Sequence, residues 1–266
     1  MEYRNDPSLN FLGNLSSEEL NDLVYILTHD KDGRVRLTET LTSNVKYKHY
    51  YPDHHMYWED IAAELQLFGG NTIVNLLRLG KGVYYKEILC DVCDKIKVNY
   101  NKNSSVEKIE ENLLMKILQD SLEKMSPEEI SNLGKELGLD NLEGLNSQAM
   151  VAIFQAIFRM GGFKSYQLTV VIVNAVLKAL IGRGLTIGGN AALMQIMSIL
   201  TGPIGWTLTI LWSASDIAGA AYRVTIPAVV QIAYLRKLAE NRENIEVKSN
   251  ETTNAVVSLS LRPKWL

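Results

Sequence analysis

Cys90 and Cys93 stand in a Cys-x-x-Cys pattern, and His49, His54 and His55 crowd a loop around Pro52. On a helix, thiolates at that spacing share a face and can ligate zinc, with imidazole nitrogens completing the shell. No second cysteine pair exists, and Cys93 falls on an apolar stripe with Tyr85, Ile88, Leu89, Val92 and Ile96, where a small thiol is a good core residue. The expectation is a structural pair, with no metal and no cofactor. A thioredoxin-like role fails because no βαβ pattern surrounds the motif. The segment His49-Tyr50-Tyr51-Pro52-Asp53-His54-His55-Met56-Tyr57-Trp58 can be read as a recognition loop. The structural reading packs its rings on the adjoining helix and leaves the histidines in solvent, and it is preferred.

Other chemistries fail on spacing. Gly80-Lys81-Gly82 lacks both the hydroxyl after the lysine and the preceding frame of a phosphate-binding loop. Gly182-Arg183-Gly184-Leu185-Thr186-Ile187-Gly188 is one residue too long for a dinucleotide fingerprint and follows a helical pattern. No G-x-S-x-G or H-E-x-x-H occurs. The pairs Glu18-Glu19, Glu110-Glu111 and Glu128-Glu129 sit in or near first helical turns, where acids favour the helix dipole. No catalytic residue is assigned, and the chain reads as a non-enzyme.

The charges that do stand out are few. Residues 165–235 hold only Lys178, Arg183, Asp216 and Arg223, and residues 184–215 hold none. Asp216 and Arg223 are seven apart, two helical turns if one helix carries both. A buried charge is costly unless paired. They form a candidate charge pair, either a salt bridge that stabilises the fold or a polar point in a membrane or ligand cavity. Trp206 and Trp212 are candidate membrane contacts, since indole rings favour the bilayer interface.

The elements that must position these residues read as helices. Ser16 and Glu19 form a capping box before the stripe Leu20, Leu23, Val24, Leu27. Trp58, Ile61, Ala62, Leu65 and Phe68 give another stripe, closed by Gly69-Gly70. Ser104 and Glu107 open a helix to about Met125. Ser126-Pro127-Glu128-Glu129 starts the next, which Gly138 stops. Asn146 caps one ending at Gly161-Gly162. The apolar half reads as helices over 166–180, 188–200, 203–220 and 228–239, the last entered through Pro227. The one strand candidate is 254–261, rich in Val, Ser and Leu.

The fold class is therefore all-α, a multi-helix bundle with an apolar, glycine-rich C-terminal half. Its regions are a short helical module (1–45), an acidic helical region (46–164), an apolar helical region (165–240) and an extended or disordered tail (241–266). Residues 1–164 carry 18 basic and 25 acidic side chains, and residues 165–266 carry 9 and 5. The net charge of −3 argues against a nucleic-acid partner. Two cysteines and no basic-then-apolar leader point to the cytoplasm.

Long strings of this chain are similar to the YaaW family of bacterial proteins. They are Asp6-Pro7-Ser8-Leu9-Asn10-Phe11-Leu12, Leu23-Val24-Tyr25-Ile26-Leu27-Thr28, Glu64-Leu65-Gln66-Leu67-Phe68-Gly69-Gly70-Asn71 and Ala221-Tyr222-Arg223-Val224-Thr225-Ile226-Pro227-Ala228-Val229-Val230-Gln231-Ile232-Ala233. The resemblance runs from Asp6 to about Lys237; the tail beyond Arg242 departs from it. It implies a short N-terminal module joined to a helical region likened to the chaperones that assemble ubiquinol–cytochrome c reductase, with no established activity.

The leading expectation is a non-enzymatic protein that meets the cytoplasmic membrane, at its surface or embedded in it, or membrane-protein clients. The contact would lie in 165–235, flanked by Lys164 and by Arg236-Lys237. Because Pro203 and glycines interrupt that stretch, a hairpin is as consistent as a crossing. The alternative is a soluble helical adaptor whose apolar half is its core.

Overall fold

The computed structural model describes residues 2–69, 82–136, 138–139, 146–186 and 221–260, with side chains to residue 242. Among these residues there are nine α-helices and no strand: α1 Ser17–Thr28, α2 Val45–Tyr50, α3 Trp58–Gly69, α4 Tyr85–Lys95, α5 Val106–Leu122, α6 Pro127–Glu136, α7 Ser147–Met160, α8 Gly162–Ile181 and α9 Tyr222–Ser260. The fold is all-α.

Local chemistry explains most helix starts. The Ser16 and Glu19 side chains each bond the other's backbone N–H, closing the capping box of α1. Ser126 and Glu129 do the same ahead of Pro127. The Asn146 Oδ1 accepts from Ala149 N at 2.9 Å and starts α7. One cap differs from expectation. Ser105, not Ser104, accepts from the N–H three residues on, and α5 stops at Leu122 instead of Met125.

The central elements are α8 and the first part of α9. Every residue of α8 from 168 to 177 is buried, and so is every residue of α9 from 224 to 235. A helix that is apolar all round must be surrounded by protein or lipid. Here α8 and α9 are each other's main neighbours, and α1, α3, α4 and α5 also pack on α9. Fully burying one such aliphatic side chain is worth roughly 1.5–3 kcal/mol. α8 is long and apolar enough to cross a bilayer, but 72% of its most apolar window is buried inside the protein. It ends at Gly182, whose φ of +80° suits glycine, and a Cβ there would meet the Lys31 carbonyl oxygen at 2.7 Å.

Two expectations about the C-terminal half are corrected. Pro227 lies within α9, five residues after its start, and the missing N–H costs one bond to the Arg223 carbonyl near the helix head. The strand candidate 254–261 and the extended tail give way to helix as far as Ser260. A short Val/Ser/Leu alternation does not override the continuation of a helix already nucleated.

Candidate functional site: buried charge nodes on the central helices

Two carboxylates buried in the helical core organise the polar interior. The first is Glu110 on α5, 3% exposed. Arg236 on α9 donates from Nε to Glu110 Oε2 at 2.9 Å and from Nη2 to Oε1 at 3.3 Å. Tyr85, at the head of α4, donates its hydroxyl to Oε1 at 2.6 Å. The same Arg236 Nη2 reaches the Ser8 carbonyl at 2.8 Å, and the guanidinium lies 4.5 Å over the Phe11 ring. Asp6 accepts from the N–H groups of Ser8 and Tyr85. The N-terminal residues, α4, α5 and α9 are thus tied at one point. Burial pushes the Glu110 carboxyl above its usual range, while Arg236 and the Tyr85 hydroxyl pull it back. Three donors on two oxygens match a carboxylate held ionised by its partners.

The second node is Asp22 on α1. Its carboxylate accepts from Arg183 Nη2 at 2.5 Å, from Thr186 N at 2.6 Å and from Thr186 Oγ1 at 2.8 Å. Arg183 also lies 4.0 Å over the Tyr25 ring, which stacks on His29. The residues after α8 are thereby folded back onto α1. A cleft of about 280 Å³ opens beside Asp22, walled by Glu18, Glu19, Tyr166, Thr186, Tyr234 and Arg242 among others. Arg242 pairs with Glu19, and the Tyr166 and Tyr234 rings stack across it.

The candidates named from sequence fall as follows. Arg223 is exposed at the head of α9, beside Arg36 and not in the core. Asp216, Trp206 and Trp212 lie outside the described residues. Cys93 is buried, and burial pushes its thiol up to about 12, with Cys90 and Asp94 adding to the rise. A thiol so protonated is a poor nucleophile and a poor ligand. Among the described residues no group of three or more His, Cys, Asp or Glu side chains is placed to hold a metal.

The histidine loop packs on α1, but not with all its imidazoles in solvent. His49 and His55 are exposed, whereas His54 is buried between Tyr57 and Asn21. Its Nδ1 lies 2.5 Å from the Tyr57 hydroxyl. Burial lowers the His54 pKa, with Asp53 opposing. The unfolded chain, near pKa 6.5, therefore takes up this proton first as pH falls. The stability His54 contributes is present above about pH 6.5 and lost as pH drops through its lower folded value. Urea unfolding of the wild type should show falling stability over that window, with a shallower fall in His54→Gln.

Glu110 and Arg236 correct two sequence expectations. Glu110 is not a helix-dipole acid, and Arg236 is not a flanking surface cation; each is the other's buried partner. The neighbouring Glu111, half-buried, pairs with Lys108 and Lys237.

The arrangement defines a class. This is an all-helical protein whose residues 53–230 match the family model described as ubiquinol-cytochrome C chaperone, preceded at residues 3–37 by a domain of unknown function, DUF3944. Within that class the chain belongs to the UPF0174, or YaaW, family. A UPF0174 protein of Helicobacter pylori (strain J99) is 48% identical over 253 residues, covering 94% of this chain and 100% of the relative. A second from the same strain is 45% identical over 76% of this chain and 98% of the relative. The UPF0174 protein YaaW of Escherichia coli (strain K12) is 35% identical over 90% of this chain and 97% of the relative. No solved structure matches. None of these names is that of an enzyme family.

Proposed function

We propose that this is a non-enzymatic, chaperone-like bacterial protein that works at the cytoplasmic membrane on membrane-protein clients. The observation that carries the reading is the match of residues 53–230 to a chaperone family, laid over the helices that form the core. The polar interior fits it. Glu110 and Asp22 are each turned onto structural partners from other elements, as a scaffold requires. Glu64, also buried, accepts from the Thr40 N–H and hydroxyl.

A specific observation also favours the second reading, a soluble helical adaptor. α8 and residues 224–235 of α9 are buried in protein, so their apolar character is accounted for without lipid. Membrane contact then does not come from these two helices crossing the bilayer. It comes from a peripheral surface or from the uncharged residues between them, which include Trp206 and Trp212. Cell fractionation separates the readings. Untagged protein at natural abundance should sediment with membranes and leave them in high salt or carbonate, as a peripheral protein does. Protein wholly in the soluble fraction would replace this reading with the adaptor.

A further inference from the structure

The loop between α1 and the 3-10 turn Leu41–Ser43 is built with its apolar side chains outward. His29 and Val35 form an antiparallel bridge, and Arg36 N donates to the Thr28 carbonyl at 2.8 Å. Gly33, with φ +77°, makes the turn. In this extended stretch side chains alternate. Arg36 is tucked under, its Nε donating to the Ile26 carbonyl, while Val35 is 51% and Leu37 fully (103%) exposed. A lone exposed leucine is ordinary. This one shares a loop tip with Val35 and stands among cations.

Lys31 and Arg34 are exposed on the same loop, and Arg223 is exposed at the head of α9, close enough to Arg36 for the two charges to repel. Among the described residues none of these four cations makes an ion pair within 4 Å. The nearby acids offset them only in part. Asp30 turns its carboxylate onto the N–H groups of Asp32 and Arg34, Glu39 turns onto Thr42, and Asp32 is exposed. Arg183, which also faces His29, is already neutralised by Asp22. Asp30 partly offsets Arg36, while Arg34 and Arg223 are exposed and make no ion pair among the described residues, so the surface keeps cations that an anion can meet.

We propose that residues 30–37, together with Arg223, form the surface by which the protein docks on an anionic lipid bilayer, with Leu37 and Val35 entering the interface and the exposed Lys31, Arg34 and Arg223 meeting headgroup phosphates. This rests on the membrane reading above and gives that reading its surface. An apolar tip flanked by the exposed cations Lys31, Arg34 and Arg223 suits lipid, because insertion and headgroup attraction act together.

The test is co-sedimentation of the purified full chain with vesicles of phosphatidylcholine alone or mixed with phosphatidylglycerol. The wild type should bind the mixed vesicles, bind the neutral ones weakly, and release in salt. Leu37→Asp should lower affinity by about tenfold or more, since it removes an inserted side chain and adds an anion. Arg34→Gln with Arg223→Gln should lower it on the order of twentyfold, about fivefold per charge. All three positions are exposed, so an unchanged far-ultraviolet helix signal shows that the variants fold. Variants that bind mixed vesicles like the wild type overturn this surface but leave the membrane reading to other residues. Equal wild-type binding to neutral vesicles, or none to either, also overturns the inference; the client reading then stands or falls by fractionation.

Discussion

Replacing Arg236 with methionine should destabilise the protein by about 3–5 kcal/mol, the cost of leaving a buried carboxylate without its cation. The side chain is 11% exposed and makes both charge-assisted bonds to Glu110, so no water can take its place without opening the core. The change also strands the Ser8 carbonyl and removes the cation from Phe11. Methionine retains most of the stem packing, so the loss reads the charge and not a void. The double variant Glu110→Gln with Arg236→Met should cost less than the two single losses added together. Chemical denaturation of the four proteins in one double-mutant cycle measures this. Additive losses would show that Glu110 and Arg236 do not act as a pair.

Asp22→Ala should be the next most damaging polar change, at about 3 kcal/mol. It removes the acceptor for the Thr186 N–H, the Thr186 hydroxyl and Arg183 at once. The loss should be smaller than at Arg236. Arg183 is 34% exposed and can rehydrate, whereas Glu110 cannot. Asp22→Asn keeps one acceptor oxygen and should fall between wild type and alanine. Both variants should loosen the fold-back of residues 183–186 onto α1, read as faster proteolysis after Arg183. Stability and proteolysis unchanged in Asp22→Ala would contradict the assignment.

The helices were legible where their signals are local. Ser16 with Glu19, Ser126 with Glu129, and Asn146 each mark a start within four residues, and the structure forms those bonds. Long-range partnerships leave no such trace. Glu110 and Arg236 are 126 residues apart, and nothing in either segment's periodicity names the other. Glu110-Glu111 resembles any pair of first-turn acids, and Arg236-Lys237 resembles a basic flank after an apolar run. A faint signal existed: Arg236 continues the all-round apolar stretch of α9 without a break, and Glu110 falls on the stripe of Val106, Ile109, Leu113 and Leu114. A charge on an apolar stripe calls for a partner. Asp22 was hidden likewise, between Leu20 and Leu23 on the buried side of α1. The pair proposed from spacing, Asp216 with Arg223, rested on seven residues of separation; Arg223 proves to be exposed, and Asp216 lies outside the described residues. The tail misled for the opposite reason, since eight residues of alternation are outweighed by the helix that runs into them.

Amide hydrogen exchange on the purified full chain, in buffer with neither detergent nor lipid, tests most directly whether α8 and the head of α9 are a protein core. The account predicts that amides within 168–177 and 228–235 exchange only by global opening, among the slowest in the chain, and that Arg236→Met speeds both stretches together. Fast exchange of either stretch in water, with protection appearing only when vesicles are added, would contradict it.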